Sequence, residues 1–557
     1  MQHTIRFLWL PALLISACSD MTPSDLAANQ PVYTGFPSIE PHQILPVEND
    51  RLYNQEAPIP PQCYTRTEAS HNPCFVCHQV YPRGKSADYR MNKLDDGALQ
   101  GNYLFSDVGV NNHWQNLFVD RRDYVAAISD QTIDRYVNED NYTALAPRLK
   151  ANNWQGYTPD LQNFHLADGA FDQDGIALDN SHWVAFNYKP FPSTFWPTNG
   201  SFGDVAIRLD TPFRERQGQY NIDIYRLNLA LVEITIKDLP SISVLPFDES
   251  RYQIDINGDG RFNAAETRLR AQEHYFGDAS QVVVTPQQYP TGTEFLHSVR
   301  YLGIDQDDQI VAPPRMKELR HMRKIKTLSD AELDNRYRRE RKEKVDEDLP
   351  YFIHHGDAGM ENGMGWMISA FVEDASGELR PQTHEENMAC MGCHSAIGST
   401  IDQTFSIGRK VTGPEGWGYI NLQGMPDAPT VSHAEPEILA YFKRVGGGDE
   451  FRQNTEMLAR WFDDKGQVKT GAVLAADVYQ LITPSAERAR QLNKAYTHIV
   501  RTQSYRLGRD ATWVPAKNIH QAIDEGTRPL DPKHQALGWD LRLDWQSSSN
   551  AAQVAAE

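Results

Sequence analysis

Cys74-Phe-Val-Cys77-His78 and Cys390-Met-Gly-Cys393-His394 are two copies of one pattern, C-x-x-C-H, set 316 residues apart. The spacing is that of covalent haem attachment. Two thiols three residues apart on one short turn add across the two porphyrin vinyl groups, and the next imidazole reaches the iron as its proximal ligand. With six Cys and eighteen His in 557 residues, chance supplies roughly 0.002 such motifs. Other chemistries use the same residue types. Structural zinc could take four Cys and two His, but it seldom places His directly after C-x-x-C in both halves. A thioredoxin-like pair needs a βαβ context, which neither copy has. The expectation is two covalently attached haems c, with Cys74, Cys77, Cys390 and Cys393 binding the porphyrins and His78 and His394 as proximal iron ligands.

The N-terminus points to the compartment such attachment requires. Residues 1–17 carry Arg6, then an apolar run from Phe7 to Ala17, and lead through Ile15-Ser16-Ala17 into Cys18. This is a signal peptide in charge, length and small residues. It resembles a bacterial lipoprotein signal, in which the Cys is lipidated and becomes the mature N-terminus, making Cys18 an anchor. The alternative is an ordinary cleaved signal. Ser19 at the next position implies the outer membrane in that family. Residues 18–62, rich in Pro, read as a tether.

Composition narrows the partners. Hydrophobic residues make up 40% and charged residues 23%, as in ordinary globular proteins. The formal charge of −20 leaves no basic face for nucleic acid, so a DNA or RNA partner is excluded. It favours basic or cationic partners instead. No stretch after the signal is long and apolar enough to span a bilayer.

On its two attachment segments, residues 71–80 and 388–396, the chain resembles the di-haem c-type cytochromes. The resemblance implies electron transfer outside the cytoplasm, with a periplasmic or extracellular redox partner and a membrane contact through the lipid. The motifs lie much closer together in di-haem peroxidases, which puts peroxidase chemistry in doubt. Alternatives are a di-haem peroxidase or oxygenase, with one relay haem and one reactive haem, and an assembly or binding lipoprotein with structural haems. The expected fold is α+β and multidomain. Mainly helical, cytochrome c-like haem segments (63–150 and 351–435) flank a loop-rich, β-containing insertion (151–314) and a charged helix (315–350). A helical region (436–546) and a flexible tail (547–557) follow.

Asp255-Ile-Asn257-Gly-Asp259-Gly260-Arg261-Phe-Asn263-Ala-Ala-Glu266 matches the EF-hand loop at every position. Asp255, Asn257, Asp259, Asn263 and Glu266 offer side-chain oxygens, and Arg261 offers its carbonyl. A structural calcium ion is expected there, entered from a strand at Tyr252–Ile254; the alternative is a metal-free turn. Asp305-Gln-Asp307-Asp308 lacks the Gly and the closing Glu and reads as a hairpin turn. Ser129 is a candidate helix N-cap. Leu227, Ala230, Leu231 and Ile234 mark one helix face. Strands are expected within Ser241–Ile256, at Val282–Thr285, and as a pair over 366–382 joined at Asp374–Gly377. Residues 315–344 hold twelve Lys/Arg against six Asp/Glu and read as a solvated helix.

The second axial ligands decide whether an iron carries electrons or reacts. Met425, before Pro426, resembles the Met-Pro loop of small cytochromes c, with a core methionine as the alternative. His71, His113, His297, His321, His354 and His355 are further candidates. Cys63 is left over as a buried or reactive thiol. Arg409 and Lys410 are placed to pair with propionates or to sit at the surface.

Overall fold

The structure is a computed structural model that describes residues 31–79, 96–192, 195–346, 351–398, 400–447, 454–510 and 512–546. Cys18, the signal and the tail beyond 546 lie outside these residues. The centre is one antiparallel sheet of eight strands: β1 (Val184–Ala185), β2 (Phe202–Arg208), β3 (Glu294–Arg300), β4 (Met316–Lys324), β5 (Ile353–His354), β6 (Met360–Glu361), β7 (Trp366–Glu373) and β8 (Leu379–Pro381). The spatial order is β1-β2-β3-β4-β7-β6-β5, with β8 also paired to β7. Fourteen α-helices, most of them short, surround it among the described residues.

Period-2 alternation assigns the two faces. Leu296, Leu319 and Phe371 point into a cluster with Leu161, Phe164 and Trp183. Phe295, Met322, Trp366 and Ile368 point the other way, into the main core. That core draws on residues from Ala57 to Leu541, so distant parts of the chain share one interior.

The fold is therefore mixed α/β around a large sheet, which corrects the expectation of mainly helical, cytochrome c-like haem segments. The second motif follows directly on strands β7 and β8. The charged helix expected over 315–350 is corrected too, since residues 316–324 form β4 and only Asp330–Asp346 is helical. Charge at buried positions disguised the strand. Lys317 donates to the Gly200 carbonyl (2.6 Å), Lys324 pairs with Asp402, and Glu318 pairs with Arg320 and Arg509. A buried charge persists when it is paired in this way.

Several local expectations hold. Ser129 caps the helix Asp130–Val137, its hydroxyl accepting from the Thr132 amide. Leu227, Ala230, Leu231 and Ile234 lie in the helix Ile222–Lys237. β7 and β8 pair across the Asp374–Gly377 turn, and Gly303–Ile304 pairs with Ile310–Val311 around the Asp305 turn. Ser241–Phe247 is a strand, but a one-turn helix, Glu249–Tyr252, enters the acidic loop instead of the expected strand. Val282–Thr285 provides only an isolated bridge at Val283, because Val282 and Val283 are exposed and have no strand to cover. Among the described residues no helix is long and apolar enough to cross a membrane.

Candidate functional site

Both C-x-x-C-H segments fold into the same single turn. The amides of Cys77 and His78 donate to the Cys74 carbonyl at 3.1 and 2.8 Å, and those of Cys393 and His394 donate to the Cys390 carbonyl at 3.2 and 3.0 Å. One turn of this kind puts the two thiols and the imidazole on neighbouring faces. A side-chain amide then holds each histidine carbonyl. Gln100 Nε2 donates to that of His78 (2.8 Å), and Asn362 Nδ2 to that of His394 (2.7 Å).

The first turn is built from both ends of the chain. Asn72 Oδ1 accepts from the Phe75 amide, while Asn72 Nδ2 donates to Gln100 Oε1 and to the His534 carbonyl. Gln100 Oε1 accepts from the Ala536 amide. Phe75 is fully buried, edge-on to Trp539 with ring centroids 4.8 Å apart. Upstream, the Arg66 amide donates to the Asn518 carbonyl, and Thr65 bridges to Ile519.

The second turn follows the helix His384–Met388, whose capping box joins Thr383 and Glu386. Asn387 Nδ2 donates to the Ile368 carbonyl of β7, and Arg509 binds Glu318 of β4 and the Glu386 carbonyl. These bonds fix the turn over the Phe295–Met322–Ile368 face of the sheet. His394 Nδ1 is 2.9 Å from the Gln403 carbonyl oxygen. A carbonyl only accepts, so Nδ1 carries the proton and Nε2 keeps its lone pair, the tautomer a metal ligand needs. Burial pushes the ring down to about 4, partly offset by that hydrogen bond. Burial also raises both thiols, Cys393 to about 11. Burial alone would raise the Glu318 carboxyl, but Arg320 and Arg509 outweigh it and hold it at about 2. Phe405 closes one side, edge-on to His394 at 5.6 Å.

The segment just after the second motif packs against the first. A Cβ at Gly398 would lie 3.1 Å from the Gln79 amide nitrogen and 3.2 Å from the Cys77 carbonyl oxygen, and Gly392, inside the second motif, faces the Pro58 carbonyl. Cys63, Cys74, Cys77, Cys390 and Cys393 are all half-buried and form no disulfide.

The other candidates fall elsewhere. Met425 is buried in the main core, its carbonyl accepting from the Val478 amide. Arg409 and Lys410 are neither exposed nor open, because Glu437 grips Arg409 through both oxygens and Glu233 holds Lys410 at 2.7 Å. His321 bonds Glu294 (3.1 Å) and stacks on Tyr157 at 3.6 Å. His354 stacks on His384, His355 faces Glu361, and His113 reaches the Val108 carbonyl. His71 packs against Gly446 beside the first motif. Sequence reasoning missed the Gln100 and Asn362 clamps, which carry no motif.

In the acidic loop Asp255 accepts from the amides of Gly258, Asp259 and Gly260, Asn257 from that of Asp259, and Asp259 from that of Arg261. The amides of Asn257 and Asn263 converge on one Glu266 oxygen at 2.7 and 3.0 Å. Among the described residues no three His, Cys, Asp or Glu side chains cluster tightly enough to hold a metal unaided.

Together these features define a mixed α/β protein with paired C-x-x-C-H turns. A family model described as a "-like lipoprotein" matches residues 45–478. An uncharacterized lipoprotein of Aquifex aeolicus (strain VF5) is 30% identical over 525 residues, covering 82% of this chain and 86% of that protein. The chain belongs to this lipoprotein family. No solved structure matches it. Membership corrects the resemblance to di-haem c-type cytochromes. That resemblance rested on two short segments, whereas the matches running along most of the chain lead to lipoproteins and the fold is not a helical cytochrome. A lipoprotein is held at a membrane outside the cytoplasm by its lipid, which sets the location of this chain.

Proposed function

We propose that this lipoprotein binds two haems covalently, side by side, and passes electrons outside the cytoplasm to or from a partner. The proposal includes Cys18 as the lipidated residue and the outer membrane as the site of anchoring. One observation carries it: two turns 316 residues apart in sequence have the same hydrogen-bond pattern, and Gly398, four residues past the second, packs against Cys77 of the first. When bound, each haem supplies a one-electron Fe(III)/Fe(II) couple. The chain does the rest. Cys74, Cys77, Cys390 and Cys393 would form the thioether links, and His78 and His394 would present Nε2 to the irons. Gln100, Asn362 and Gln403 hold those histidines in place. The charge of −20 steers a basic or cationic partner.

The test uses protein beginning after Cys18, exported in cells that attach haem c. Denaturing gels stained for haem, together with intact mass, are expected to show two covalent haems. C74S/C77S and C390S/C393S should each lose one, and the quadruple variant both. Wild-type protein matured in this way without covalent haem would overturn the proposal.

We propose calcium for the 255–266 loop. The support is convergence: the side chains of positions 257, 263 and 266 already meet, and turning the Asn263 amide over would present an oxygen in place of a nitrogen. Calcium at a hundredfold excess over its Kd is expected to stabilise the fold by about 2.7 kcal/mol. That appears as a rise of several degrees in Tm, absent in Glu266→Ala. A Tm that responds to neither calcium nor chelator removes the ion from the account.

A further inference from the structure

The face of the sheet under the second motif carries one polar row. Val205 of β2, His297 of β3, Arg320 of β4 and Ala370 of β7 lie directly opposite one another in register. The flanking row, Ile207, Phe295, Met322 and Ile368, is apolar. A histidine and an arginine therefore stand amid core positions, with small residues beside them. The His297 ring leans along the sheet over Gly203, where a Cβ would lie 3.0 Å from Nε2. Any larger residue at 203 would crowd the imidazole.

His297 differs from the other candidate histidines on this sheet and around the second motif. His321 has Glu294 and Tyr157, His355 has Glu361, and His354 has the His384 ring. Neither ring nitrogen of His297 has a hydrogen-bond partner among the described residues. The ring keeps part of its surface open, so a group from outside the chain can reach it. Arg320 and His394 both bear electrostatically on the ring. His394 is thus within electrostatic reach of His297, and Arg320 acts on Cys390, Cys393 and His394 as well as on His297. His297, Arg320, Cys390, Cys393 and His394 all keep part of their surface open despite their depth.

Resting on the haem reading above, we propose that His297 supplies the remaining axial ligand to the iron bound by His394. The strand fixes its backbone, Gly203 leaves room for its ring, and the lack of a competing hydrogen bond leaves Nε2 or Nδ1 for the metal. With two imidazoles bound, this haem transfers electrons and has no open position for a substrate.

The experiment compares haem-loaded wild type with His297→Ala, read by EPR and visible spectra, with haem stain and mass as the check on covalent attachment. His297→Ala is expected to keep both haems while one changes from low-spin to high-spin, and added imidazole should restore the low-spin signal. Gly203→Ala keeps the histidine but crowds its ring. It should shift the same EPR signal, and it is read in place of His297→Ala if that variant does not accumulate. Both haems retained with wild-type spectra in His297→Ala, or in Gly203→Ala where that is the variant read, would overturn the assignment alone. Wild-type protein without covalent haem would overturn the parent reading, and this assignment with it.

Discussion

Replacing Gly392 with alanine is expected to unseat the second motif. An ideal Cβ at this position falls 2.1 Å from the Pro58 carbonyl oxygen, far inside contact distance, and the obstacle is backbone. That backbone is pinned. The Ile59 amide donates to Glu56 and the Ala57 amide to Asn54, Trp114 Nε1 donates to the Ile59 carbonyl, and Glu385 accepts from the amides of Tyr53 and Asn54. Overpacking of this kind costs about 1–3 kcal/mol, toward the upper end where neither side yields. Thermal unfolding of Gly392→Ala should show a clearly lower Tm, and haem stain should show loss at the second site while the first stays loaded. Gly471→Ala is the control, since Gly471 is helical with nothing within 4 Å of an added Cβ. It should be neutral or slightly stabilising. Equal Tm values for Gly392→Ala and wild type would mean that the 54–59 segment moves aside.

Glu233→Ala is expected to be strongly destabilising. Glu233 is fully buried in the helix Ile222–Lys237 and accepts from Lys237 Nζ (2.8 Å), Lys410 Nζ (2.7 Å) and the Gly413 amide (3.2 Å). Removing it leaves two ammonium groups buried with only neutral acceptors, a loss of about 3–5 kcal/mol. Burial alone would raise the Glu233 carboxyl, but Lys237 and Lys410 outweigh it and hold it below the usual range. The group therefore binds protons more weakly folded than unfolded. Its contribution is complete above the unfolded pKa and is lost as pH falls through the folded value. Denaturant melts should show a deficit for Glu233→Ala at pH 7 that shrinks in acid. A constant deficit across that range would mean that packing, not charge, is what the residue supplies.

What the sequence disclosed followed from how local each signal is. C-x-x-C-H, the Ser129 cap and the Asp374–Gly377 turn are decided within a few residues, and the structure forms a turn, a cap and a hairpin there. β4 was hidden because Lys317, Glu318 and Lys324 read as solvent-facing until their distant partners Gly200, Arg509 and Asp402 are in view. Arg409 and Lys410 were open to either reading for the same reason, since Glu437 and Glu233 cannot be paired with them by spacing. The packing of Gly398 against the first motif is a tertiary fact. So is the row that sets His297 beside Arg320, because register between strands is not written in either strand alone.

The first C-x-x-C-H turn is roofed by residues near the end of the chain. Gln100 and Asn72 reach Ala536 and His534 across separations of 436 and 462 residues, and Phe75 rests on Trp539. A polypeptide exported from its N-terminus delivers Cys74 and Cys77 long before that roof exists. Contacts this remote in sequence form late, after the loop between them has closed. On the haem reading proposed above, the first pair of thiols would stay open to attachment until the segment around residues 534–539 docks over it.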